Sequence, residues 1–300
     1  MVDLSAGPLR IVELFSGVGG VSAAVQGTSA VVVAAVDTDE AANRVHATNW
    51  PAPVVCRNLS GRKLDFLPAA DLWWMSPPCQ PFTVRGKQRD VMDPRCRPLL
   101  RMLEALADVH PTWVALENVP GFSGSLAYDA LRDTLRKGGW QTVEGELCPS
   151  DFGLPNIRRR WYLLAGPRPP RWPNPARMPR TPIRAFLDSQ PDPELTLSPT
   201  LVSSYAKALP FSNPDDTDTC CFTSAYGSSP VYCGSYLRDE ILGPRRFSPI
   251  EIARLLGFPK TFRFPEGISL RKQWSLIGNS LSVPVVGALL EDAISWQEAL

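Results

Sequence analysis

The sequence predicts an α/β fold in which a mostly parallel β-sheet is covered by helices on both faces. Two observations lead to this prediction. Short apolar runs, each suited to a strand, alternate with helical stretches through the first 165 residues, and helical patterning returns near the carboxyl end after a proline-rich segment. Strands and helices that alternate in this way are typical of parallel sheets, because a parallel connection needs a long crossover.

The predicted elements follow one another in a regular order. Apolar runs predict strands at 10–15, 31–36, 53–56, 71–75, 112–117, 141–148 and 160–165. Helices are expected at 39–48, 97–108 and 126–137, with a short small-residue helix after Gly20. Further on, Ser248, Pro249 and Glu251 fit the N-cap, the first position and the third position of a helix, and a final helix is expected from about 281 to 298.

A second region interrupts this pattern. Residues 166–199 contain ten prolines, which exclude long regular elements there, and eight arginines occur between Arg158 and Arg184. We therefore expect residues 166–247 to form an irregular region with a basic entrance.

Composition limits the possible classes of protein. The chain has 300 residues, of which 44% are hydrophobic and 20% charged, and its net charge is +1, as in soluble globular proteins. It shows no run of about 20 apolar residues and no secretory signal pattern at the amino end. Its seven cysteines form no CxxC pair, so we expect a reducing compartment and neither a disulfide framework nor a zinc site.

The first strand is followed by FSGVGG, residues 15–20, whose glycines allow the backbone to approach a ligand closely. The N–H groups at the next helix start would attract an anion, and Asp37 at the end of the second strand can accept hydrogen bonds from a ribose. The pattern is not GxGxxG. A nucleoside cofactor with a small charged group, such as S-adenosylmethionine, therefore fits at least as well as a dinucleotide, with Phe15 on the adenine face. An ordinary strand–helix turn is the alternative.

The stretch SPPCQPFT, residues 76–83, places Cys79 in a loop that three prolines stiffen. This loop directly follows the strand at 71–75. Because open α/β sheets bind ligands at the carboxyl ends of their strands, Cys79 is expected to face the same crevice as Gly17 and Asp37. An inert, buried cysteine is the alternative.

Two further polar groups are expected at this edge of the sheet. Glu117 and Asn118 end the strand at 112–117, and three arginines, Arg158–Arg160, precede the strand at 160–165. Taken singly, Glu117 could be a capping carboxylate and the arginines a solvated charge run. Together with the thiol and the glycine turn, they indicate an active site.

In these motifs the chain resembles the cytosine carbon-5 methyltransferase family. The matching blocks are FSGVGG, SPPCQPF, ENV at 117–119, NIRRR at 156–160, LLGFPKTF and IGNSLSVP at 277–284, and they cover nearly the whole chain. Within the family the chain is most similar to the type 2 branch, which methylates aspartate tRNA. The short recognition region, CFT at 221–223 followed by SAYGS, and FGLPNIRRR carry this closer match. The family usually has glutamine where this chain has Asn156, and the type 2 branch also tends to have asparagine there.

The resemblance implies a Rossmann-like class I S-adenosylmethionine-dependent methyltransferase fold with a small inserted target-recognition domain. Residues 1–166 and 272–300 would form the catalytic domain, and residues 167–271 the recognition domain. The last segment is assigned to the catalytic domain because IGNSLSVP matches a block that closes the cofactor pocket in the family.

The resemblance also implies residue roles. The Cys79 thiolate would add to carbon 6 of cytosine, Glu117 would hydrogen-bond ring N3, and Arg158 and Arg160 would bind the base carbonyl and nearby phosphates. No metal is implied, and water is the default base for the final proton removal. The implied cofactor residues are Phe15, Ser16, Gly17, Gly19, Gly20, Asp37, Asn58, Leu59, Pro77, Asn279 and Ser280.

The expected substrate is a cytosine in tRNA, namely the anticodon-loop cytosine at position 38 of aspartate tRNA. A short recognition region suits a folded RNA, and a base in an unpaired loop leaves its stack at low cost. Candidate contacts are Arg85, Lys87, Arg171, Arg177, Arg180, Cys221 and Thr223. An inert packing role is the alternative for Cys221.

Other functions stay open at this point. DNA cytosine methylation uses the same chemistry, so DNA is a possible weaker substrate. A non-catalytic nucleic-acid-binding relative is opposed by the intact Cys79 and Glu117. A nicotinamide dehydrogenase is a poor fit, because GxGxxG is missing. We expect a monomer in the cytoplasm, the nucleus or both, without a membrane partner.

Overall fold

A computed structural model describes residues 7–61, 64–83, 89–175 and 178–300. The chain divides into two compact units. Unit 1 contains the described parts of residues 1–147 with 159–174 and 286–300, and unit 2 contains 148–158 with the described parts of 175–285. This division assigns 148–158 and 272–285 to unit 2 and 167–174 to unit 1, whereas the boundaries expected from the sequence lie at 166/167 and 271/272.

Unit 1 is built on a seven-stranded sheet in the order β3-β2-β1-β4-β5-β7-β6. Strand β7 runs antiparallel to both of its neighbours, and the other pairs are parallel, so the predicted mostly parallel sheet is confirmed. All seven predicted strands are present. They are β1 Leu9–Leu14, β2 Ala30–Asp37, β3 Val54–Cys56, β4 Leu72–Met75, β5 Trp113–Asn118, β6 Gln141–Leu147 and β7 Arg160–Gly166.

Four helices connect these strands, at the predicted places. They are α1 Gly20–Ala24, α2 Glu40–Asn49, α3 Arg97–Val109 and α4 Leu126–Lys137. Local capping explains where two of them begin. The Asp39 carboxylate accepts the N–H groups of Ala41 and Ala42 at the start of α2, and the Ser125 hydroxyl accepts that of Tyr128 at the start of α4.

The core of unit 1 joins the central strands to α3 and α4. Trp73, Met75, Leu116 and Leu163 from the sheet belong to one buried cluster, and Leu103, Leu106, Leu131 and Leu135 contribute from the helices. Every residue of β4 and β5 is buried, as expected for strands covered on both faces. The carboxyl ends of these two strands are therefore held on a rigid support.

Unit 2 contains a small sheet that the sequence did not predict. Its strands are β8 Phe211–Ser212, β9 Tyr236–Asp239 and β10 Gly243–Arg246, in the order β10-β9-β8. Helix α5 Pro199–Ser204 also falls in the region expected to be irregular. Elements of two to six residues are too short to show a hydrophobic period, which is why the pattern missed them.

Three helices lie toward the carboxyl end, α6 Pro249–Leu255, α7 Leu270–Gly278 and α8 Val283–Glu298. The sequence predicted α6 and α8, whereas α7 was not predicted. The capping box at α6 is confirmed, because Ser248 and Glu251 each accept the other's backbone N–H. Short 3₁₀ helices occur at Asp90–Met92, Pro94–Cys96, Pro120–Gly124, Pro149–Phe152, Ile183–Phe186 and Pro193–Leu195.

Among the described residues, one helical stretch, Leu270–Glu298, has the length and apolar composition of a membrane span. However, 67% of its most apolar window is buried inside the protein, which is typical of a core helix.

Candidate active site

Cys79 lies in the loop after β4, and this loop is fastened on both sides. Before the cysteine, the Ser76 N–H donates to the last carbonyl of β1 at 3.3 Å. The buried amide of Asn118, at the end of β5, donates to the Pro77 carbonyl at 3.2 Å. After the cysteine, the Phe82 N–H donates to the Cys79 carbonyl at 2.9 Å. The loop thus holds a half-buried thiol at the carboxyl end of the sheet.

The turn that follows β5 packs against the same loop. A Cβ on Gly121 would lie 2.7 Å from the Phe82 carbonyl oxygen, so only glycine permits this approach. The rings of Phe82 and Phe122 meet edge to face with their centroids 5.0 Å apart. Both the ENV segment and the turn after it therefore support the Cys79 loop.

Glu117 and Arg160 form an ion pair at this edge, with 3.4 Å between Oε1 and Nε. The two side chains are only 12% and 15% exposed. Arg160 begins β7, which pairs with the end of β5, and β4 pairs with β5 so that Met75 lies opposite Leu116. The sheet therefore brings the predicted thiol, carboxylate and arginine to one edge of unit 1.

The glycine turn after β1 has an unusual backbone. Gly17 and Gly19 have φ values of 52° and 90°, and Phe15, which is not glycine, has a φ of 59°. A side-chain-bearing residue in this left-handed region is strained and is common at ligand sites. Open space surrounds the Cβ position of Gly17, where no heavy atom lies within 4 Å. This is the arrangement expected of a turn that faces a ligand.

Asp37, at the end of β2, is linked to this turn. Its Oδ2 accepts the Gly17 N–H at 2.8 Å, and its Oδ1 accepts the Asp39 N–H at 2.9 Å. Each carboxylate oxygen keeps a second lone pair, so a ribose hydroxyl can still be bound. The same carboxylate can thus hold the turn and contact a nucleoside.

The other predicted cofactor residues have different surroundings. Asn58 is exposed and accepts the Ser60 N–H at 2.8 Å, whereas Leu59 packs in the core of unit 1. Pro77 is buried beside Cys79. Gly20 is the first residue of α1, and the predicted Ser16 of the turn is buried. Asn279 and Ser280 belong to unit 2, where they follow α7.

Arg158 also belongs to unit 2 and is buried. Its Nη1 donates to the Phe222 carbonyl at 2.8 Å and contacts the Cys221 sulfur at 3.4 Å. Its Nη2 donates to the carbonyls of Ser280 at 2.6 Å and Gly278 at 3.2 Å. These bonds hold the CFT segment against the IGNS segment, and the expected contact of Arg158 with the base stays a prediction. Thr223, the last residue of the CFT segment, donates its backbone N–H to the Cys233 carbonyl.

Two of the predicted phosphate contacts already have carboxylate partners. The Arg171 Nε lies 2.7 Å from Oδ1 of the buried Asp292, which Arg168 also binds at 3.0 Å. Arg180 forms an ion pair with Asp218. Arg85, Lys87 and Arg177 lie outside the described residues. A phosphate at Arg171 or Arg180 would therefore have to share the guanidinium with an internal carboxylate.

Comparison with known proteins identifies the family. Residues 9–202 and 228–295 match the model of the C-5 cytosine-specific DNA methylase family. The chain belongs to this family. It is 31% identical to the tRNA (cytosine(38)-C(5))-methyltransferase of Schizosaccharomyces pombe, covering 96% of this chain and 97% of the relative. It is also 27% identical to a DNA (cytosine-5)-methyltransferase of Dictyostelium discoideum, over 97% of this chain and 95% of that protein.

Solved structures agree with this cytosine methyltransferase fold. The crystal structure of S. pombe Dnmt2 methyltransferase superimposes with a TM-score of 0.81 at 30% identity, covering 94% of this chain and 98% of that chain. The Entamoeba histolytica methyltransferase EhMeth gives a TM-score of 0.87 at 26% identity, with coverages of 96% and 98%. The predicted class I methyltransferase fold and the enzyme class are confirmed.

Cytosine methyltransferases of this family take the methyl group from S-adenosylmethionine, and the glycine turn of this chain fits such a ligand. The Ser16 hydroxyl is buried and lacks a hydrogen-bond partner among the described residues. A buried hydroxyl without a partner costs free energy, which a polar ligand group would recover. Ser16 and the open space at Gly17 would hold the ligand's amino-acid part, and Asp37 its ribose.

Sequence reasoning missed several contacts in this methyltransferase. It noted Asn118 but not its amide bond to the Cys79 loop. It also missed Arg95, which binds Asp93 through two hydrogen bonds of 2.9 and 2.7 Å. The Arg95 side-chain bond lowers the pKa of Asp93 to about 2. The local signal for this ion pair was the sequence Asp93-Pro94-Arg95, which places an arginine two residues after an aspartate.

Asn156, where the family usually has glutamine, is completely buried. Neither atom of its amide has a hydrogen-bond partner among the described residues. The shorter side chain thus leaves polar atoms unsatisfied, and no contact in the described part of the chain explains the substitution.

Proposed function

We propose that this enzyme transfers a methyl group from S-adenosylmethionine to carbon 5 of a cytosine in tRNA, at position 38 of the anticodon loop of aspartate tRNA. The observation that carries the proposal is the combination of an intact Cys79–Glu117–Arg160 edge with relatives that align with this chain over nearly their whole length. The relatives from S. pombe and Homo sapiens are both named tRNA (cytosine(38)-C(5))-methyltransferase, and they match 97% and 98% of their own length.

Cys79 is the nucleophile of the proposed reaction. Carbon 5 of cytosine is too weakly nucleophilic to be methylated directly. Addition of the Cys79 thiolate forms a bond from sulfur to carbon 6 and pushes the double-bond electrons toward carbon 5. The cofactor, when bound, supplies the electrophilic methyl group. Loss of the carbon-5 proton to a base then restores the double bond and expels the thiolate.

Glu117 and Arg160 act on the ring while sulfur adds. A proton held between Glu117 and ring N3 neutralises the negative charge that the addition places on the ring. The Arg160 guanidinium, which already contacts Glu117, can donate to the base carbonyl through its other N–H groups. The Arg160 and Glu117 side chains keep 15% and 12% of their surface exposed, and the base would approach them through this small accessible part.

An unpaired base suits this site better than a paired one. The cytosine must leave its stack to reach Cys79, which costs a few kcal/mol in a duplex and less in a loop.

We also propose that the enzyme is a monomer and that it is located where tRNA is found, in the cytoplasm, the nucleus or both. Size-exclusion chromatography with light scattering and a fluorescent fusion test these two points.

The deciding experiment measures transfer of a labelled methyl group to three substrates. They are an aspartate tRNA transcript, the same transcript with uridine at position 38, and duplex DNA. We expect label in the first transcript alone, with the modified position found by bisulfite sequencing. Strong labelling of duplex DNA and none of tRNA would overturn the proposal in favour of DNA methylation, which the matched family's name and the D. discoideum relative support.

A further inference from the structure

One face of α2 carries three polar side chains, Asn43, His46 and Trp50, of which Trp50 directly follows the helix. Their spacing of three and four residues places them on the same side. All three are buried, with His46 at 0% exposure. Polar groups at buried positions need partners, and here the partners belong to the glycine turn, to the start of α1 and to Asp37.

Each side chain makes its polar contact with a different segment. The Trp50 indole donates to the Val18 carbonyl, inside the glycine turn, at 2.8 Å. The Asn43 amide donates to the Asp37 carbonyl at 3.2 Å. The His46 Nε2 lies 3.0 Å from the Ser22 hydroxyl, at the start of α1. One rigid helix thus touches both segments expected to bind the cofactor.

The contact at His46 continues to the sheet through Ser22 and Glu13. The Ser22 hydroxyl has one proton and lies 2.7 Å from a Glu13 carboxylate oxygen, to which it donates. Its oxygen then accepts from His46 Nε2. The His46 Nδ1 is buried without a partner among the described residues, which fits the tautomer protonated on Nε2. Glu13 also accepts the N–H groups of Val21 and Ser22.

Packing leaves no room for the turn to move toward α2. A Cβ on Gly19 would lie 2.8 Å from the His46 ring and would overlap the Trp50 indole. Gly19 also has a φ of 90°, which favours glycine. The turn therefore rests directly on the α2 face and is fixed there by hydrogen bonds with defined directions.

We propose that Asn43, His46 and Trp50 are positioning residues for the cofactor. They hold the glycine turn at a fixed distance from Asp37, so that one ligand can contact both, and they set cofactor affinity without touching the cofactor. This inference rests on the proposed use of S-adenosylmethionine. If it is correct, removing one polar contact weakens cofactor binding and leaves the chemical step unchanged.

The first test is Trp50→Phe, which keeps a buried aromatic ring but removes the donor to Val18. The matched control is Trp140→Phe, because the buried Trp140 indole donates to the Pro111 carbonyl at 3.1 Å in the same unit. We expect the dissociation constant for S-adenosylhomocysteine, measured by calorimetry, to rise roughly tenfold in Trp50→Phe, as for one lost hydrogen bond. In Trp140→Phe it should stay within about twofold.

The second test uses His46. His46→Leu removes the donor to Ser22, whereas His46→Gln restores an N–H group at a similar reach. We expect weaker binding in the leucine variant, recovery in the glutamine variant, and an unchanged turnover number at saturating cofactor in both. Equal cofactor affinity in all four variants would overturn the inference, even if thermal stability falls. A wild-type protein that binds neither S-adenosylmethionine nor S-adenosylhomocysteine would instead overturn the cofactor assignment itself.

Discussion

Each unit contains a cluster in which an arginine binds carboxylates, and the two clusters differ in burial and in bond length. In unit 2 the completely buried Arg245 binds Asp239 at 2.7 Å and both oxygens of the buried Glu251 at 2.8 Å. In unit 1 the Glu117–Arg160 pair is longer, at 3.4 Å, and is partly exposed. The first, the closed cluster, is enclosed by the protein, whereas the second, the open pair, keeps a small part of its surface accessible.

The difference shows how a working pair can be recognised. Arg245 uses its donors on internal acceptors, including the Arg246 carbonyl, as buried charges must. Because the Arg245 side chain is completely buried, a ligand cannot reach it. At the sheet edge of unit 1, by contrast, the Glu117–Arg160 pair has a longer contact and keeps some accessible surface, which the proposed substrate would contact. Substitutions should therefore affect stability at the first cluster and activity at the second.

The largest effect is expected at Cys79, which lies beside the open pair. Cys79→Ala should lower methyl transfer by on the order of a thousandfold or more, because it removes the sulfur that would form the bond to carbon 6. Cofactor affinity and melting temperature should stay at wild-type values. Labelled transfer and calorimetry on the same preparation check this, and near-normal turnover would refute the nucleophile assignment.

The next largest effect concerns the open pair. Glu117→Gln keeps the size of the side chain but removes the carboxyl proton donor, so the turnover number should fall by about 10²–10⁴. The free energy of unfolding should fall by no more than about 1–2 kcal/mol, because the glutamine amide oxygen can still accept a hydrogen bond from Arg160. A variant that loses stability instead of activity would make Glu117 a structural carboxylate like Glu251.

The opposite outcome is expected at the closed cluster. Arg245→Met leaves two buried carboxylates without their cation and should cost about 3–5 kcal/mol of unfolding free energy. Turnover per folded molecule should be nearly normal at low temperature. Urea unfolding measures the loss, and Arg184→Met, in an exposed pair with Asp215 and Glu240, is the control expected to show no measurable change.

The closed cluster should also respond to acid. Burial by itself raises the pKa of Asp239, but hydrogen bonds from the Leu242 N–H and from Arg245 bring it below its ordinary value of 3.8. A carboxyl with a lowered pKa stabilises the protein above its ordinary pKa, and this contribution is lost as the pH falls through the lowered value. Urea unfolding at about pH 7, 4 and 3 should show a smaller decrease for Asp239→Asn than for wild type.

The sequence predicted the open site better than the closed one. Cys79 follows β4, Glu117 lies near the end of β5 and Arg160 begins β7, so the strand pattern located all three. The parallel pairing of β4 with β5 accounts for Cys79 and Glu117, whereas Arg160 reaches the same edge because β7 runs antiparallel, which the pattern did not show. The bond from Asn118 to Pro77 joins residues 41 positions apart, and that from Arg171 to Asp292 joins residues 121 positions apart. No local pattern encodes such pairings, since they depend on how the chain folds in three dimensions.

The smallest effect is expected for the basic stretch of residues 158–184. The sequence suggested that Arg171 and Arg180 bind tRNA phosphates, but both guanidinium groups have internal carboxylate partners. If Arg171 were removed, Asp292 would still form its ion pair with Arg168, so the Asp292 carboxylate would not be left without a cation. Replacing Arg171 and Arg180 together by alanine should therefore weaken tRNA binding by less than about threefold.

Salt dependence makes this last test decisive. A lost phosphate contact reduces the slope of log affinity against log salt by about 0.7–0.9 for each cation. If both arginines contact phosphates, the slope should fall by about 1.5 and affinity should drop most at low salt. If they act as internal ion pairs, as the contacts with Asp292 and Asp218 indicate, the slope should be unchanged. Filter binding of aspartate tRNA across a salt series distinguishes the two, and a clearly smaller slope would show that substrate competes successfully with both carboxylates.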